Sequence, residues 1–321
     1  MPKGAWRKGR VAAGLLIVLL IAAAAVFRIV NYTNGTLISA GIEREYYVHV
    51  PASYDASTPT PLVITLHSYG QLPIQQNGVS RWSDLADEEG FIVVYPAGTY
   101  FPLRWQTGGA YEQLSDPRWD IAFISDLIDE MQRTYNIDPA RVYANGLSNG
   151  AGASFILSCT LSERIAAVGM ASGAYLYTWD DCQPERQVPA IVFHGTADDT
   201  VPYAGGEAGF FRVQFPAIPA WIDTLAGHNG CDGARELAAA GTVRTLQYTG
   251  CEADVLFYTI EGGEHVWPVG ERYRLPGAMA GRDPLDATRA MWAFFQAHPL
   301  GSGTDVPLSV AASGRPAVLV D

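Results

Sequence analysis

Seven short stretches of the chain are continuously apolar or rich in β-branched residues, the pattern of strands buried on both faces of a sheet. The predicted strands cover residues 46–50, 62–66, 91–95, 141–145, 166–170, 190–194 and 255–260. Segments with a helical spacing of apolar residues lie between several of them. This alternation predicts an α/β protein with a doubly wound, mostly parallel sheet in a single domain.

Three helices are predicted with the clearest signals. The longest takes Asp116 as its N-cap and Pro117 as its first residue. Its apolar stripe consists of Ile121, Ile124, Ile128 and Met131. A second helix follows Ser148, and residues 285–298 form the last. In a sheet of this kind, functional side chains are expected directly after the strands, at their carboxyl ends.

The N-terminus has the pattern of an export signal, because Lys3, Arg7, Lys8 and Arg10 precede an uncharged run of 17 residues, 11–27. Such a run is typical of a cleaved signal peptide or of a short membrane anchor, and both place the rest of the chain outside the cytoplasm. The predicted organisation is a signal or anchor at residues 1–30, a catalytic domain at 31–298 and a loose tail at 299–321.

Composition and charge narrow the class of protein. Of the 321 residues, 48% are hydrophobic and 17% are charged. This composition supplies a large hydrophobic core and excludes a mainly disordered protein. The formal net charge is −12, and the basic residues of the first 30 positions leave 16 basic and 33 acidic residues in the remainder. A surface of this sign repels phosphate backbones, so no nucleic-acid partner is expected.

Four cysteines, Cys159, Cys182, Cys231 and Cys251, all lie in the predicted exported part. An even number in an oxidising compartment predicts two disulfides, although four buried free thiols are the alternative. Of the three possible pairings the sequential one is favoured, because neighbours in the chain are most often neighbours in the fold. The spacings do not match a zinc site, and neither a metal nor a cofactor is predicted.

The predicted strand 141–145 leads into Gly146-Leu147-Ser148-Asn149-Gly150, a G-x-S-x-G sequence between a strand and a helix. This is the arrangement of a nucleophile elbow, in which the serine has strained backbone geometry and the flanking glycines prevent a clash. The alternative is a Gly-rich turn with an N-cap serine. Ser148 is the candidate nucleophile.

A serine nucleophile needs a histidine base and an acid, in the chain order Ser, acid, His for this fold. Among the six histidines, His265 is the candidate base, since it follows the last predicted strand after two glycines. The acid is expected after strand 190–194, where Asp198 and Asp199 compete. Adjacent side chains point apart, so one reaches the imidazole and the other binds the loop.

The negative oxygen that forms during attack on an ester needs two backbone N–H donors. Asn149, directly after the nucleophile, is one candidate, and the second is either Ser68 or Tyr69 in the loop after strand 62–66. His67 is expected to anchor that loop. Aromatic residues near these loops are candidate contacts for a sugar ring or a phenolic acyl group: Tyr69, Trp105, Tyr203 and Trp267.

Together these motifs resemble a family of secreted α/β-hydrolases described as polyhydroxybutyrate depolymerase-like or feruloyl and acetylxylan esterase-like, of the carbohydrate esterase family one type. The resemblance extends from about residue 41 to residue 298. It is carried by Leu66-His67 with Gly70, by 90–96, by 138–143 with the elbow, by 194–198 with Val201-Pro202, and by Gly262-Gly263 with His265 and Trp267-Pro268. It implies the α/β-hydrolase fold, and it implies that Asp198, the first of the two aspartates, is the acid.

The resemblance has two departures. Ser68 stands where the family often has glycine, and Arg104-Trp105-Gln106 stands where many members have a Trp-Asn segment with a vicinal cysteine pair. The implied function is an extracytoplasmic serine carboxylic-ester hydrolase that acts through an acyl-enzyme. Its expected substrates are short or aromatic acyl esters, on a polysaccharide or in hydroxyalkanoate oligomers, with membrane contact only through an uncleaved N-terminal segment. The alternatives are an exopeptidase or acyltransferase with the same machinery, or a catalytically silent cell-surface binding domain.

Overall fold

The computed structural model describes residues 33–108, 116–209, 212–269 and 285–301. The predicted signal or anchor and nearly all of the predicted tail lie outside these residues. The described strands are β1 Gly35–Ser39, β2 Ile42–His49, β3 Thr60–Leu66, β4 Ile92–Pro96, β5 Ile137–Leu147, β6 Ala167–Ala171, β7 Ala190–Gly195, β8 Gly206–Ala208, β9 Val213–Phe215, β10 Gly233–Ala240, β11 Val243–Thr249 and β12 Val255–Ile260. The described helices are α1 Pro73–Ser80, α2 Trp82–Glu89, α3 Arg118–Thr134, α4 Asn149–Thr160, α5 Ile218–His228 and α6 Ala287–Ala297.

Ten of these strands form one sheet in the order β1-β2-β4-β3-β5-β6-β7-β12-β11-β10. The six strands from β4 to β12 in this order are parallel, while β1 and β2 at one edge and β11 and β10 at the other are antiparallel to their neighbours. β8 and β9 form a separate hairpin. The expected fold class, an α/β-hydrolase with a mostly parallel sheet, is confirmed.

Helices cover both faces of the sheet, which explains why its central strands are continuously apolar. On one face, α3, α4 and α5 pack through side chains such as Phe123, Phe155 and Trp221. On the other face, α2 and α6 pack through Trp82 and Phe295, whose rings stack with centroids 6.0 Å apart. The carboxyl ends of the parallel strands are thereby held in fixed relation to one another.

The seven predicted strands all correspond to strands of the sheet, but several boundaries differ and some elements were not predicted. The longest helix begins at Arg118, with Pro117 as its N-cap, so Asp116 was wrongly assigned that position. The Asp116 carboxylate instead accepts a hydrogen bond from the Arg118 backbone N–H, two residues ahead. The unpredicted strands are β1, β8, β9, β10 and β11. No helix among the described residues is long and apolar enough to cross a membrane.

Candidate active site

Ser148 lies in a sharp turn between β5 and α4. Its backbone has φ 56° and ψ −116°, a positive-φ conformation that a residue with a side chain rarely adopts. The turn brings Gly146 against Gly150 so closely that a Cβ on Gly146 would lie 2.3 Å from the Gly150 carbonyl carbon. The two glycines of the motif are therefore required by the geometry of the turn.

Asp198 follows β7 and is buried, with 4% of its surface exposed. One carboxylate oxygen, Oδ1, accepts hydrogen bonds from the backbone N–H groups of Thr200 and Val201, at 3.0 and 2.8 Å. The other, Oδ2, lies 2.8 Å from Nδ1 of His265. Burial alone would raise the pKa of this carboxyl, but its hydrogen bonds outweigh burial and lower the pKa below the usual range. Asp198 is therefore a carboxylate at neutral pH.

The loop that carries His265 packs directly on the loop that carries Asp198. The backbone N–H of Ala197 donates to the Gly263 carbonyl at 2.9 Å, and a Cβ on Gly195 would lie 2.1 Å from the same oxygen. Only glycine at position 195 permits this approach. The close packing brings the imidazole and the carboxylate together, although 67 residues separate them in the chain.

Ser148 follows β5 and His265 follows β12, two strands that β6 and β7 separate in the sheet, and the two residues share no direct hydrogen bond. Within the ranges that the structure describes, no hydrogen bond joins the Ser148 hydroxyl to the imidazole ring. Catalytic hydrogen bonds of this kind are often long in the absence of substrate and shorten when the substrate is bound. The loop after β6 links the two residues indirectly, since Ser148 N donates to the Ala171 carbonyl and Ser172 Oγ donates to the Val266 carbonyl.

The loop after β3 is held by His67, which is completely buried. Its Nε2 accepts a hydrogen bond from the Gly98 N–H at 2.9 Å, so its Nδ1 carries the proton and donates to the Ser68 carbonyl at 2.7 Å. Burial lowers the pKa of His67 to about 4, which keeps the ring neutral. The structure thus assigns His67 the anchoring position that was predicted.

The two amides expected to donate from this loop differ in their environment. The Ser68 N–H already donates to the side-chain oxygen of Gln71, at 3.0 Å. To bind an oxyanion, it would have to exchange this partner. Tyr69 is more exposed than Ser68, with 38% of its surface accessible. Asn149, the other expected donor, is the first residue of α4, where a backbone N–H has no acceptor within the helix.

The side chain of Asn149 has a structural role that was not predicted. Its Oδ1 accepts from the Trp105 N–H at 2.7 Å, and its Nδ2 donates to the Trp105 carbonyl at 3.1 Å and to the Thr107 hydroxyl at 3.0 Å. The amide therefore binds both backbone groups of one residue and fixes the loop after β4 against the elbow. An asparagine after the nucleophile is the only signal of this contact in the sequence.

Trp105 and Trp267, two of the expected substrate contacts, are buried in the interior. Trp105 is 2% exposed and its indole N–H donates to the His67 carbonyl, while Trp267 is 4% exposed and donates to Thr288 Oγ1. Neither indole offers a ring face to a substrate, because both rings are packed in the interior. Tyr203 is half-buried, with its hydroxyl 3.1 Å from that of Thr259.

Disulfides join Cys159 to Cys182 and Cys231 to Cys251, which is the sequential pairing. The first connects the end of α4 to the segment before β7. The second closes the base of the β10–β11 hairpin. Among the described residues, no group of three or more His, Cys, Asp or Glu side chains is placed to hold a metal ion.

Residues 45–180 match the family model described as esterase PHB depolymerase. The chain is similar to a bifunctional acetylxylan esterase/xylanase from Neocallimastix patriciarum, with 36% identity over 184 residues that cover 56% of this chain and 26% of that protein. It is also similar to feruloyl esterase C from Emericella nidulans, with 26% identity over 84% of this chain and 86% of that protein. The resemblance inferred from the motifs is confirmed.

The chain spans only part of the first relatives, 26% of the acetylxylan esterase/xylanase and 46% of feruloyl esterase B from Piromyces equi. Among solved structures it is similar to an acetyl xylan esterase from Aspergillus awamori, with a TM-score of 0.56 and 16% identity, covering 70% of this chain and 90% of that one. At this identity the likeness supports the fold.

Proposed function

We propose, from the premise that this chain is a relative of the polyhydroxybutyrate depolymerase-like and feruloyl or acetylxylan esterases, that it is a serine carboxylic-ester hydrolase. The observation that carries the proposal is the hydrogen bond of 2.8 Å between Asp198 and His265, in loops at the carboxyl ends of the same parallel strands whose sheet holds the Ser148 elbow. The family match over residues 45–180 and the named relatives support the same reaction class.

In the proposed mechanism the Ser148 hydroxyl attacks the ester carbonyl while His265 Nε2 takes its proton. Asp198 accepts a hydrogen bond from His265 Nδ1, which holds the imidazole in the tautomer with a free Nε2 lone pair and stabilises the imidazolium that forms. The tetrahedral oxygen is negative, and the Asn149 N–H with an N–H of the loop 68–69 stabilises it. His265 then gives its proton to the leaving alcohol, and the acyl group stays on Ser148.

Deacylation repeats these steps with water as the nucleophile. His265 removes a proton from the water, the hydroxide attacks the acyl-enzyme, and the tetrahedral oxygen forms in the same site. Collapse of this intermediate releases the acid and returns the proton to Ser148. Acyl-enzyme formation and hydrolysis thus use one set of residues.

The proposed substrates are short or aromatic acyl esters on a polar carrier, such as acetyl or feruloyl groups on a polysaccharide, or hydroxyalkanoate oligomers. Three exposed aromatic rings in the loops after β3 and β4 support this: Tyr69, Tyr100 and Phe101, which are 38%, 57% and 82% exposed. The net charge of −12 disfavours an anionic carrier. We further propose that the protein acts outside the cytoplasm, in agreement with its two disulfides.

Hydrolysis of p-nitrophenyl esters of increasing chain length tests the proposal. Wild-type protein is expected to hydrolyse the acetyl and butyryl esters and to lose activity steeply toward the palmitoyl ester, because the loops that carry Ser148, Asp198 and His265 contain Gly, Thr, Glu and Asp instead of an extended apolar surface. Methyl ferulate and acetylated xylan extend the series to the proposed natural acyl groups. A preference for the palmitoyl ester, increased at an oil–water interface, would contradict the substrate class, and no activity on any ester would contradict the proposed function.

A further inference from the structure

A second histidine lies against the Asp198 carboxylate. His194 is part of β7, four residues before Asp198, and is completely buried. Its Nε2 lies 3.3 Å from Asp198 Oδ2, the same oxygen that binds His265. His194 therefore contacts the carboxylate from the interior, while the His265 side chain is 17% exposed.

The proton on the His194 ring can be placed from its partners. Nε2 lies 2.9 Å from the Val201 carbonyl oxygen, which only accepts hydrogen bonds, so Nε2 carries the proton. This N–H donates to Val201 O, and the same nitrogen lies 3.3 Å from Asp198 Oδ2. In the part of the chain that the structure describes, the buried Nδ1 has no hydrogen-bond partner. Burying a nitrogen without a hydrogen-bond partner costs free energy.

The contact completes a set of donors around the carboxylate. Oδ1 is fixed by the backbone N–H groups of Thr200 and Val201, so Oδ2 alone is directed at the two imidazoles. The His194 N–H also binds the Val201 carbonyl, which ties the far end of the 198–201 loop to β7. One side chain thus holds the loop and contacts the oxygen that His265 uses.

We infer that His194 is a positioning residue for the proposed Asp198–His265 pair, and that its N–H sets both the direction and the basicity of Asp198 Oδ2. The inference rests on the proposed function. A donor on a carboxylate withdraws charge from it, which limits how strongly the carboxylate stabilises a protonated imidazole. Without this donor, Asp198 is expected to hold the His265 proton more tightly, so that the free base forms at higher pH.

Among the residues that the structure describes, Tyr203 is a further titratable group beside His194. The rings of Tyr203 and His194 have centroids 6.1 Å apart. On the neighbouring strand β12, Thr259 is the residue paired with His194. On the other side of β7, the neighbouring strand β6 places Ala171 opposite Phe193, the residue before His194. Asp198 is thus the charged group that His194 contacts, and a change of pH profile in a His194 variant reports on that contact.

Three variants separate positioning from packing. His194→Leu removes the donor, His194→Gln places an amide N–H where Nε2 lies, and His194→Asn has an amide too short to reach Asp198. We expect His194→Leu to lower kcat/KM for p-nitrophenyl acetate by about 10- to 100-fold, the effect of losing a hydrogen bond to a charged group. The acid limb of its pH profile is expected to move to higher pH by about half a unit or more.

His194→Gln is expected to restore kcat/KM to within a few-fold and to return the acid limb to its wild-type position, whereas His194→Asn is not. If the leucine variant does not fold, the comparison of the glutamine and asparagine variants decides the question alone. An unmoved acid limb in the leucine and asparagine variants, or equal activity of the glutamine and asparagine variants, would overturn the inference. An inactive wild type would instead overturn the proposed function.

Discussion

Asp198 and Asp199 are identical side chains in adjacent positions with opposite environments. Asp198 is buried and receives hydrogen bonds on both oxygens, while Asp199 is exposed and is contacted by the Thr200 hydroxyl at 3.4 Å. The motif alone left both residues as candidates for the acid, and the choice of Asp198 depended on the family resemblance. The structure shows what distinguishes them: the Asp198 carboxylate contacts His265 in the loop after β12.

Replacing each aspartate by asparagine tests this difference. Asp198→Asn is expected to lower kcat by about 10³- to 10⁴-fold, because an amide neither holds the required imidazole tautomer nor stabilises the imidazolium. Asp199→Asn is the matched control, and its kcat is expected to stay within about twofold of wild type. Initial rates on p-nitrophenyl acetate, with thermal unfolding to check the fold, measure both. Equal losses, or a larger loss for Asp199→Asn, would show that the acid is assigned wrongly.

His67 makes folding stability depend on pH. The folded protein holds this histidine neutral because burial lowers its pKa to about 4, whereas an exposed histidine binds a proton below about pH 6.5. The unfolded chain therefore binds the proton first. The contribution of His67 to stability is complete above about pH 6.5 and is lost as the pH falls toward about 4.

Urea unfolding of wild type and His67→Gln at pH 7.5 and pH 4.5 measures this contribution. The variant is less stable at pH 7.5, since it loses the hydrogen bonds to Gly98 and Ser68. Glutamine has no titratable group, so the stability of the variant lacks the pH dependence that His67 contributes. Wild type is expected to lose about 2 to 3 kcal/mol more than the variant between the two pH values. Parallel losses would mean that His67 is protonated in the folded state at pH 4.5.

At the scale of elements, most of the predicted strands are buried on both faces, and their apolar composition alone distinguishes them. The exception is β2, in which only two residues are buried. β10 was not predicted because Gly233–Ala240 reads GARELAAA, which is rich in good helix formers. It forms a strand because it pairs with β11 and because the Cys231–Cys251 disulfide joins the two ends of the hairpin. Pairing of this kind overrides local propensity, and no local pattern reports it.

The loop after β4 has a rigid base and an exposed aromatic tip. Its base is closed by two hydrogen bonds between the backbones of Thr99 and Arg104, and the Leu103 carbonyl accepts from Gly70 N at 2.7 Å. Tyr100 at the tip has a φ of 67°, and Phe101 is 82% exposed. Leaving a phenylalanine exposed forgoes about 2 kcal/mol of burial, and we propose that the tip binds the carrier of the substrate.

Phe101→Ala is expected to reduce kcat/KM for acetylated xylan about fivefold, because it removes one ring that stacks on the carrier. Activity on p-nitrophenyl acetate, which has no carrier, is expected to stay within about twofold of wild type. Ile38→Ala is the control, since Ile38 is 65% exposed on the edge strand β1, away from the elbow. An equal loss on both substrates, or no loss on xylan, would contradict a role of the tip in binding the carrier.

At the scale of the whole molecule, the order of the motifs predicts that the three candidate residues lie at one edge of the sheet, and the structure joins two of them, Asp198 and His265, by a hydrogen bond. Ser148, Asp198 and His265 each follow a strand, and parallel strands present their carboxyl ends at one edge of the sheet. The contacts that hold these residues were not predictable. The pairing of Asn149 with Trp105 and the contact of His194 with Asp198 depend on how loops of different strands pack, and a single sequence contains no record of that packing.

Labelling with a fluorophosphonate followed by peptide mass spectrometry tests the central claim most directly, because the reagent bonds to a serine only where a base activates it. One equivalent of adduct is expected on Ser148, with loss of esterase activity in proportion to labelling and no adduct in Ser148→Ala. Asp198→Asn is expected to label far more slowly at the same residue. An adduct on another residue, or undiminished labelling of Ser148→Ala, would contradict the account.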